Sequence, residues 1–167
     1  MVESWIQSDH AEALRVVMRN WVSGVAVVTS AIGDSMHGMT VNSLHSVSLD
    51  PPMVVITLAK NSRTHHMVST SGVFGVSILS IGQLWISERF AGKASSEDDR
   101  FSGVEIFYLK SGVPLIGGSL AWLECTVNHQ TDLPHSTIFL GEVNNSKCCE
   151  IASPLVYFNR TYHSIKG

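Results

Sequence analysis

The first helical pattern lies near the start of the chain. Apolar residues recur there at the spacing of one helix face, namely Leu14, Val17, Met18 and Trp21. Asp9 followed by Glu12 resembles a capping box, although serine or threonine is the usual cap. The pattern therefore predicts a helix that begins near Asp9 and packs its apolar face on the body of the domain.

Two further helices are predicted in the middle of the chain by their end signals. Ser62 is suited to cap a helix that ends at Gly72. Ser80 with Gln83 matches a capping box at the start of a second helix. That helix runs up to a polar, glycine-containing segment, 91–103, which predicts a mobile loop.

The rest of the chain carries the β-branched and aromatic runs that are typical of strands. GVAVVTS (24–30) is a clear example, and the glycine- and aspartate-containing segment 32–38 predicts a hairpin turn after it. The predicted strands cover residues 24–30, 38–49, 53–60, 73–79, 105–109, 120–130, 136–146 and 154–165. The turn residues between these runs favour antiparallel pairing.

This order of elements predicts an α+β fold that is mainly antiparallel β, with one helix in front and two in the middle. No internal repeat or low-complexity tract divides the sequence, so we expect residues 1–167 to form one domain. Antiparallel sheets of this size usually close into a barrel or a sandwich, because closure protects their edges.

The composition is that of a globular protein, since 44% of the 167 residues are hydrophobic and 15% are charged. A formal net charge of −3 gives no long-range attraction to nucleic acid or to an anionic membrane, so neither is expected as a partner. The opening residues lack the basic and apolar regions of a signal peptide, which predicts a cytoplasmic protein. Cys125, Cys148 and Cys149 make a poor disulfide framework and are expected to be reduced.

Familiar catalytic and metal-binding motifs are absent from the sequence. It contains no G-x-S-x-G, no Walker motif and no G-x-G-x-x-G. The adjacent pair His65–His66 lacks the H-x-x-x-H spacing of a helical metal site, so no metal is expected. A nucleotide would have to be bound by something other than the usual dinucleotide fold.

One predicted strand is rich in small polar side chains. In GMTVNSLHSVSLDPP (38–52) these are Thr40, Asn42, Ser43, Ser46 and Ser48. Hydroxyls and amides suit phosphate oxygens and the polar edges of a flat heterocycle. The segment KNSRTH (60–65) adds two cations at a helix start, where free N–H groups attract anions. Together the two segments are typical of a site for a phosphate-bearing ligand; a solvated strand face with ordinary surface charges is the alternative.

Recognisable motifs extend nearly from end to end of the chain. They are RNWVSGVAVVTS (19–30), GMTVNSLHSVSLDPPMVVITLAKNSRTH (38–65), SGVFGVSIL (71–79), ERFAG (88–92), DRFSGV (99–104), SLAWLECTV (119–127), TIFLGEV (137–143) and PLVYFNRTYHSI (154–165). This set resembles the flavin reductase family of small NAD(P)H-dependent reductases. The combination of GMTxNSxxSVSLDPP with RFAG and DRFxGV is much more specific than any single piece.

The resemblance implies the FMN-binding split β-barrel and a homodimer with its site near the subunit interface. It implies NAD(P)H:flavin oxidoreductase activity on FMN or FAD, with NADH or NADPH as hydride donor. A flavin-dependent monooxygenase would be the partner that receives the reduced flavin. Because the hydride passes directly between the two cofactors, the protein needs no acid or base, which agrees with the absence of catalytic motifs.

The resemblance also implies which residues form the flavin site. Those along the isoalloxazine ring would be Thr40, Val41, Asn42 and Ser43. Those near the ribityl chain and phosphate would be Ser46, Ser48 and Leu49. The phosphate end would be held by Ala59, Lys60, Asn61, Ser62, Arg63 and Thr64. The residues bordering the site from the helix and loop side would be Arg89, Phe90, Arg100 and Phe101.

Two histidines need separate comment. Family members often carry a histidine directly before the T-I-F-x-G-E-V strand, where it is a candidate contact for the nicotinamide. Here Ser136 separates His135 from that strand, and a shift of one residue reverses the face of a side chain. A bulge at 134–136 would restore its aim, so His135 is either a nicotinamide contact or an ordinary turn histidine. His45 receives no role.

Two alternatives of other classes stay open on the sequence. One is a non-catalytic flavin carrier on the same barrel, which would bind flavin without oxidising NADH. The other is a barrel enzyme of different chemistry, such as a relative of pyridoxamine-phosphate oxidase or a haem-degrading protein. A basic, histidine-rich pocket would favour that second alternative.

Overall fold

The structure, a computed structural model, describes residues 10–93, 99–149 and 153–165. The helices in these ranges are α1 (His10–Met18), α2 (Arg63–Ser71) and α3 (Leu84–Glu88). A 3-10 turn, Ile81–Gln83, precedes α3, and a π-helical turn, Arg89–Lys93, follows it. The strands are β1 (Ser23–Gly24), β2 (Ala26–Ile32), β3 (Ser35–Val41), β4 (His45–Leu49), β5 (Pro52–Ala59), β6 (Val73–Ile78), β7 (Ile106–Phe107), β8 (Leu115–Ile116), β9 (Ala121–Asp132), β10 (Ser136–Cys148), β11 (Leu155–Phe158) and β12 (Thr161–Ser164).

The strands pair antiparallel throughout, which confirms the predicted α+β class. The largest sheet has seven strands in the order β3-β2-β6-β9-β10-β5-β4. Its two edge strands, β3 and β4, are consecutive in the chain and are joined by residues 42–44. So short a link spans at most about 14 Å. The sheet must therefore curl, so that the end of one edge strand lies near the start of the other. Two small sheets, β1-β11-β12 and β7-β8, complete the fold.

The core consists of two clusters of buried apolar side chains. The first lies on the large sheet and includes Phe74 and Phe139, both fully buried. The second includes Phe90 and Phe101, whose rings meet edge to face with centroids 5.1 Å apart. These two phenylalanines belong to the RFAG and DRF motifs, so the motifs anchor the π-helical turn and the following loop in the core.

The helix α2 forms as its end signals predict. The Ser62 hydroxyl accepts a hydrogen bond of 3.1 Å from the backbone N–H of His65. Gly72 has φ 71°, and its N–H donates to the carbonyl of Val68 at 3.0 Å. Residues with a side chain rarely adopt this left-handed backbone conformation, whereas glycine does so without steric cost. Glycine is therefore the usual residue at this end of a helix.

The predicted packing of α1 is wrong. The helix ends at Met18, and none of its residues is buried. Its apolar stripe faces outward, with 61% of Leu14 and 63% of Val17 exposed, and Trp21 beyond the helix is 60% exposed. The predicted cap, Asp9, lies outside the described residues. Helical periodicity identifies an apolar face, but it does not show what covers that face.

The stretch 38–49 is two strands instead of the single predicted one. β3 ends at Val41 and β4 begins at His45. Between them, the Ser43 hydroxyl accepts from the N–H of Thr57 and donates to its carbonyl, both at 3.1 Å. Ser43 thus takes part in a backbone-like pairing that turns the chain from one sheet edge to the other.

Other boundaries differ more modestly from the prediction. The helix predicted after Ser80 is divided into a 3-10 turn, α3 and a π-helical turn, although Gln83 does accept from the N–H of Ser80 at 3.1 Å. The predicted strand 105–109 is only β7, and segment 154–165 is the hairpin β11–β12. Residues 94–98 of the predicted mobile loop lie outside the described ranges. Among the described residues, no helix is long and apolar enough to cross a membrane.

Candidate flavin site

A cleft of about 410 Å³ lies where the N-terminus of α2 meets β3 and the π-helical turn. We name it the α2 cleft. Its lining residues are His37, Met39, Thr40, Asn61, Ser62, Arg63, Phe90, Ala91 and Arg100. Three separate parts of the chain that carried the predicted site residues therefore converge here: the end of β3, the start of α2 and the RFAG–DRF region.

Two arginines make the α2 cleft positive. Arg63 is the first residue of α2, where the helix dipole adds its own positive end. The Arg100 Nη1 donates to the carbonyls of Gly38 and Phe90, each at 3.0 Å, which fixes the guanidinium beside β3. Among the described residues, no carboxylate lies within ion-pair distance of either arginine. As far as the described residues are concerned, the charge of both arginines is therefore available to an anion.

His37 lies close enough to both arginines for their charges to affect its pKa. Its Nδ1 lies 2.8 Å from the Thr64 hydroxyl. Burial, followed by the charges of Arg100 and Arg63, lowers the pKa of His37 from 6.5 to about 4. The imidazole is therefore neutral at pH 7, chiefly because it is buried, and the two arginine charges that add to the shift would attract a phosphate. The α2 cleft has the chemistry of a phosphate site.

A second, smaller cavity of about 170 Å³ adjoins the α2 cleft. We name it the tyrosine pocket, and its lining residues are Val25, Thr40, Val41, Asn42, Ala91, Tyr157 and Tyr162. Thr40 and Ala91 also line the α2 cleft, so the two cavities are neighbours. Its walls are mostly apolar and aromatic, which suits a flat heterocycle.

Hydrogen bonds fix the walls of the tyrosine pocket. The Thr40 hydroxyl donates to the backbone carbonyl of Ser87 at 2.7 Å. The Ser87 hydroxyl donates to the Tyr162 hydroxyl at 2.9 Å. The rings of Tyr157 and Tyr162 meet edge to face with centroids 5.2 Å apart. β3, α3 and the β11–β12 hairpin are thus tied together around one apolar space.

The two cavities together fit a flavin nucleotide. The α2 cleft offers two cations and a helix N-terminus for the phosphate, and the tyrosine pocket offers an apolar space for the ring. The ribityl chain would pass Thr40 and Ala91, which line both cavities.

The polar residues of β4 do not join this site within one chain. Ser48 pairs with Met53 and Ser46 with Val54, near the start of β5. The α2 cleft lies beyond the other end of β5, about 20 Å along the strand. Leu49 is 88% exposed. The expectation that Ser46, Ser48 and Leu49 approach the same phosphate as Lys60 and Arg63 is therefore not met by the geometry of a single chain.

The remaining predicted residues have diverse environments. Val41 and Asn42 line the tyrosine pocket, whereas Ser43 bonds Thr57. Ala59 ends β5, and Thr64 is buried against His37. The Lys60 Nζ lies 3.5 Å from Asp132.

Arg89 and Phe101 do not line either cavity. The Arg89 guanidinium lies 5.4 Å from the centre of the Trp85 ring, and it donates to the Ser102 carbonyl. Phe101 is 6% exposed and belongs to the core. These residues border the site by supporting the backbone around it.

His135 lies at the exposed tip of the β9–β10 hairpin, where its carbonyl accepts from the N–H of Lys60 at 3.0 Å. The start of β10 pairs Ser136 with Ala59 in regular register, and its register shifts occur further along, after Leu140 and Val143. The bulge that would redirect His135 is thus not observed at 134–136. A nicotinamide contact from His135 stays a prediction.

Sequence reasoning missed several residues that line the two cavities. His37, Ala91, Tyr157 and Tyr162 are the clearest cases. Ala91 was within reach, because it lies inside the quoted RFAG motif. Tyr157 and Tyr162 lie inside the quoted motif PLVYFNRTYHSI, and His37 directly precedes GMTVNS, but these motifs do not show that tertiary packing brings the three side chains to the cavities.

No group of three or more histidine, cysteine, aspartate or glutamate side chains is arranged for a metal ion within residues 10–93, 99–149 and 153–165.

Comparison with known proteins adds an independent observation to this geometry. Residues 18–166 match the family described as the flavin reductase like domain. The chain belongs to this flavin reductase family. An NADH-dependent flavin reductase of a Rhodococcus species is 35% identical over 156 residues, which cover 92% of this chain and 85% of the relative. The reductase component of 4-hydroxyphenylacetate 3-monooxygenase from Thermus thermophilus is 30% identical, with 92% and 96% covered.

Solved structures agree with the family. The NADH:FAD oxidoreductase SgcE6 of Streptomyces globisporus, solved with NAD and FAD fragments, superposes with a TM-score of 0.86 at 33% identity. The match covers 94% of this chain and 93% of that one. The predicted family, its mainly antiparallel fold and the assignment to NAD(P)H-dependent flavin reduction are confirmed.

Proposed function

We propose that this chain reduces FMN or FAD with NADH, with the flavin phosphate in the α2 cleft and the isoalloxazine ring in the tyrosine pocket. The observation that carries the proposal is the adjacency of a cationic cleft and an aromatic pocket that share Thr40 and Ala91. The family of the chain and the NADH-dependent relatives support the choice of chemistry.

Binding and positioning are the work of the protein in this proposal. The flavin, when bound, accepts the hydride of the reduced nicotinamide. Arg63, Arg100 and the start of α2 hold the phosphate and fix the position of the ring. Tyr157, Tyr162 and Val25 exclude water from the ring, and Asn42 lines the pocket beside the polar edge of the ring.

A direct assay tests this function. The purified protein is incubated with NADH or NADPH and with excess FMN or FAD, and the loss of reduced nicotinamide absorbance is followed. We expect flavin-dependent oxidation, faster with NADH than with NADPH. Oxidation with none of the four pairs would contradict the proposal, and flavin binding without oxidation would indicate a carrier instead.

We also propose that the chain functions as a homodimer. The edge strand β4 exposes Val47 to 55% and Leu49 to 88%, which is unusual for apolar side chains on an unprotected edge. A second copy that covered β4 would also bring Ser46 and Ser48 near a site formed partly by the other subunit.

Analytical ultracentrifugation tests this arrangement. We expect a dimer for the wild type and a shift toward monomer for Leu49→Asp. A monomer at all concentrations of wild-type protein would contradict it.

The partner that we propose is a flavin-dependent oxygenase, because one relative is named as a monooxygenase reductase component. Reduced flavin would leave this chain and react in the oxygenase. The cytoplasmic location stays a prediction.

A further inference from the structure

A third cavity, of about 230 Å³, adjoins the tyrosine pocket and shares no lining residue with the α2 cleft. We name it the α1 cleft, since the end of α1 forms one wall and the β11–β12 turn forms another. Asn42 and Tyr157 line both the α1 cleft and the tyrosine pocket. A ligand that reaches the ring from this side would therefore extend into the α1 cleft.

Three arginines line the α1 cleft: Arg15, Arg19 and Arg160. Glu12 partly offsets them, with its carboxylate 3.1 Å from Arg15 and 3.4 Å from Arg19. In the described part of the chain, no carboxylate pairs with Arg160. Within the described residues, the cleft therefore keeps a net positive charge.

The backbone of the β11–β12 turn holds Arg160 in an unfavourable conformation. Asn159 and Arg160 have φ 46° and 64°. Two-residue hairpin turns of this kind favour asparagine at the first position and glycine at the second. Asn159 also donates its N–H to the carbonyl of Arg19 at 3.1 Å, which ties the turn to the end of α1. Residues held in unfavourable backbone conformations are concentrated at functional sites, so an arginine at the position that favours glycine indicates a binding role for its side chain.

The α1 cleft also has an aromatic face. Arg19, which lines it, has a buried Nε with no hydrogen-bond partner among the described residues. Trp21 lines the cleft and is 60% exposed, so its indole face is open for stacking. Guanidinium donors beside a flat aromatic surface suit a pyrophosphate joined to a heterocyclic base.

We propose that the α1 cleft binds the pyrophosphate of the nicotinamide dinucleotide donor, with its adenine beside Trp21 and its nicotinamide directed past Asn42 and Tyr157 toward the flavin ring. This inference rests on the proposed function, because the flavin phosphate in the α2 cleft leaves the α1 cleft to the donor. The ADP half of FAD has the same chemistry, and the experiment separates the two sources.

The test uses the double variant Arg15→Gln/Arg160→Gln in the full chain, with Lys110→Gln as the matched control. Arg15 and Arg160 are exposed, so the variant should fold, and its thermal midpoint checks this. Lys110 is an exposed cation that lines none of the three cavities. FMN-loaded protein is titrated calorimetrically with ADP-ribose, which carries the pyrophosphate and adenine of the donor without the nicotinamide.

We expect ADP-ribose to bind the wild type and the control, and to bind the double variant at least about tenfold more weakly. The KM for NADH with FMN as acceptor should rise by a similar factor, while the affinity for FMN stays unchanged. Equal ADP-ribose binding by variant and wild type, or none by the wild type, would overturn the inference.

Weaker FAD binding with an unchanged KM for NADH would overturn it in favour of the ADP half of FAD. Oxidation of NADH by the wild type with FMN is read separately, so a failure of the proposed function is distinguishable from a failure of this inference.

Discussion

The α2 cleft and the α1 cleft both adjoin the tyrosine pocket and are built very differently. In the α2 cleft, Arg100 is held by two backbone carbonyls and Arg63 begins a helix with both ends capped. In the α1 cleft, the Arg15 side chain is 65% exposed and belongs to a helix with no buried residue. A preorganised site binds its ligand more tightly, because little order is lost on binding. We therefore expect the α1 cleft to bind its ligand more weakly than the α2 cleft does.

The largest expected difference between the two regions is the effect of replacing a strand glycine by alanine. A Cβ on Gly38 would lie 2.9 Å from the buried Phe90 ring and 3.1 Å from the Thr29 methyl. Gly24, in β1 beside the strand β11 that carries Tyr157, has no atom within 4 Å of such a Cβ. We expect Gly38→Ala to lower the free energy of unfolding by about 2 kcal/mol and to weaken flavin binding. Gly24→Ala is the control, and equal losses in a urea titration would contradict the contrast.

A smaller difference concerns pH. The pKa of His37 is lowered from 6.5 to about 4 in the folded state. Between these values the unfolded chain binds more protons than the folded chain, so stability falls as the pH drops from about 6.5 to about 4. We expect His37→Gln to lose less stability than the wild type over this window, measured by urea unfolding at several pH values.

The control for that pH series is His135→Gln, at the exposed hairpin tip. It should keep the wild-type slope. An unchanged slope in His37→Gln would show that burial and the arginine charges of the α2 cleft do not lower the pKa of His37 as described.

The smallest expected effect is a gain of stability in the α1 cleft. Arg160→Gly should raise the free energy of unfolding by about 0.5 kcal/mol, because glycine adopts φ 64° without the strain of a side chain. The same substitution should weaken ADP-ribose binding. Arg160→Gly would then be more stable than the wild type but would bind ADP-ribose more weakly. A lower free energy of unfolding in this variant would contradict the claim that Arg160 is strained at this turn.

Local signals account for what the sequence predicts well. Ser62 and Gly72 define α2 through contacts within a few residues, and the strands follow from short apolar runs. The position of Ser46 and Ser48 could not be predicted from the sequence. It depends on the interruption of the strand at 42–44 and on the pairing of β4 with the start of β5. The tyrosine pocket could not be predicted either, because Thr40 and Tyr157 are far apart in the sequence and come together only in the folded chain.

The central claim is that the α2 cleft holds the flavin phosphate. It is tested by comparing the dissociation constants of FMN and riboflavin, which differ only in that phosphate, for the wild type and for Arg63→Ala. Arg89→Ala is the control, because Arg89 lies against Trp85 outside the cleft. We predict that Arg63→Ala reduces the preference for FMN over riboflavin about tenfold while riboflavin binding is unchanged. The same preference for FMN in Arg63→Ala and in the wild type would contradict the claim.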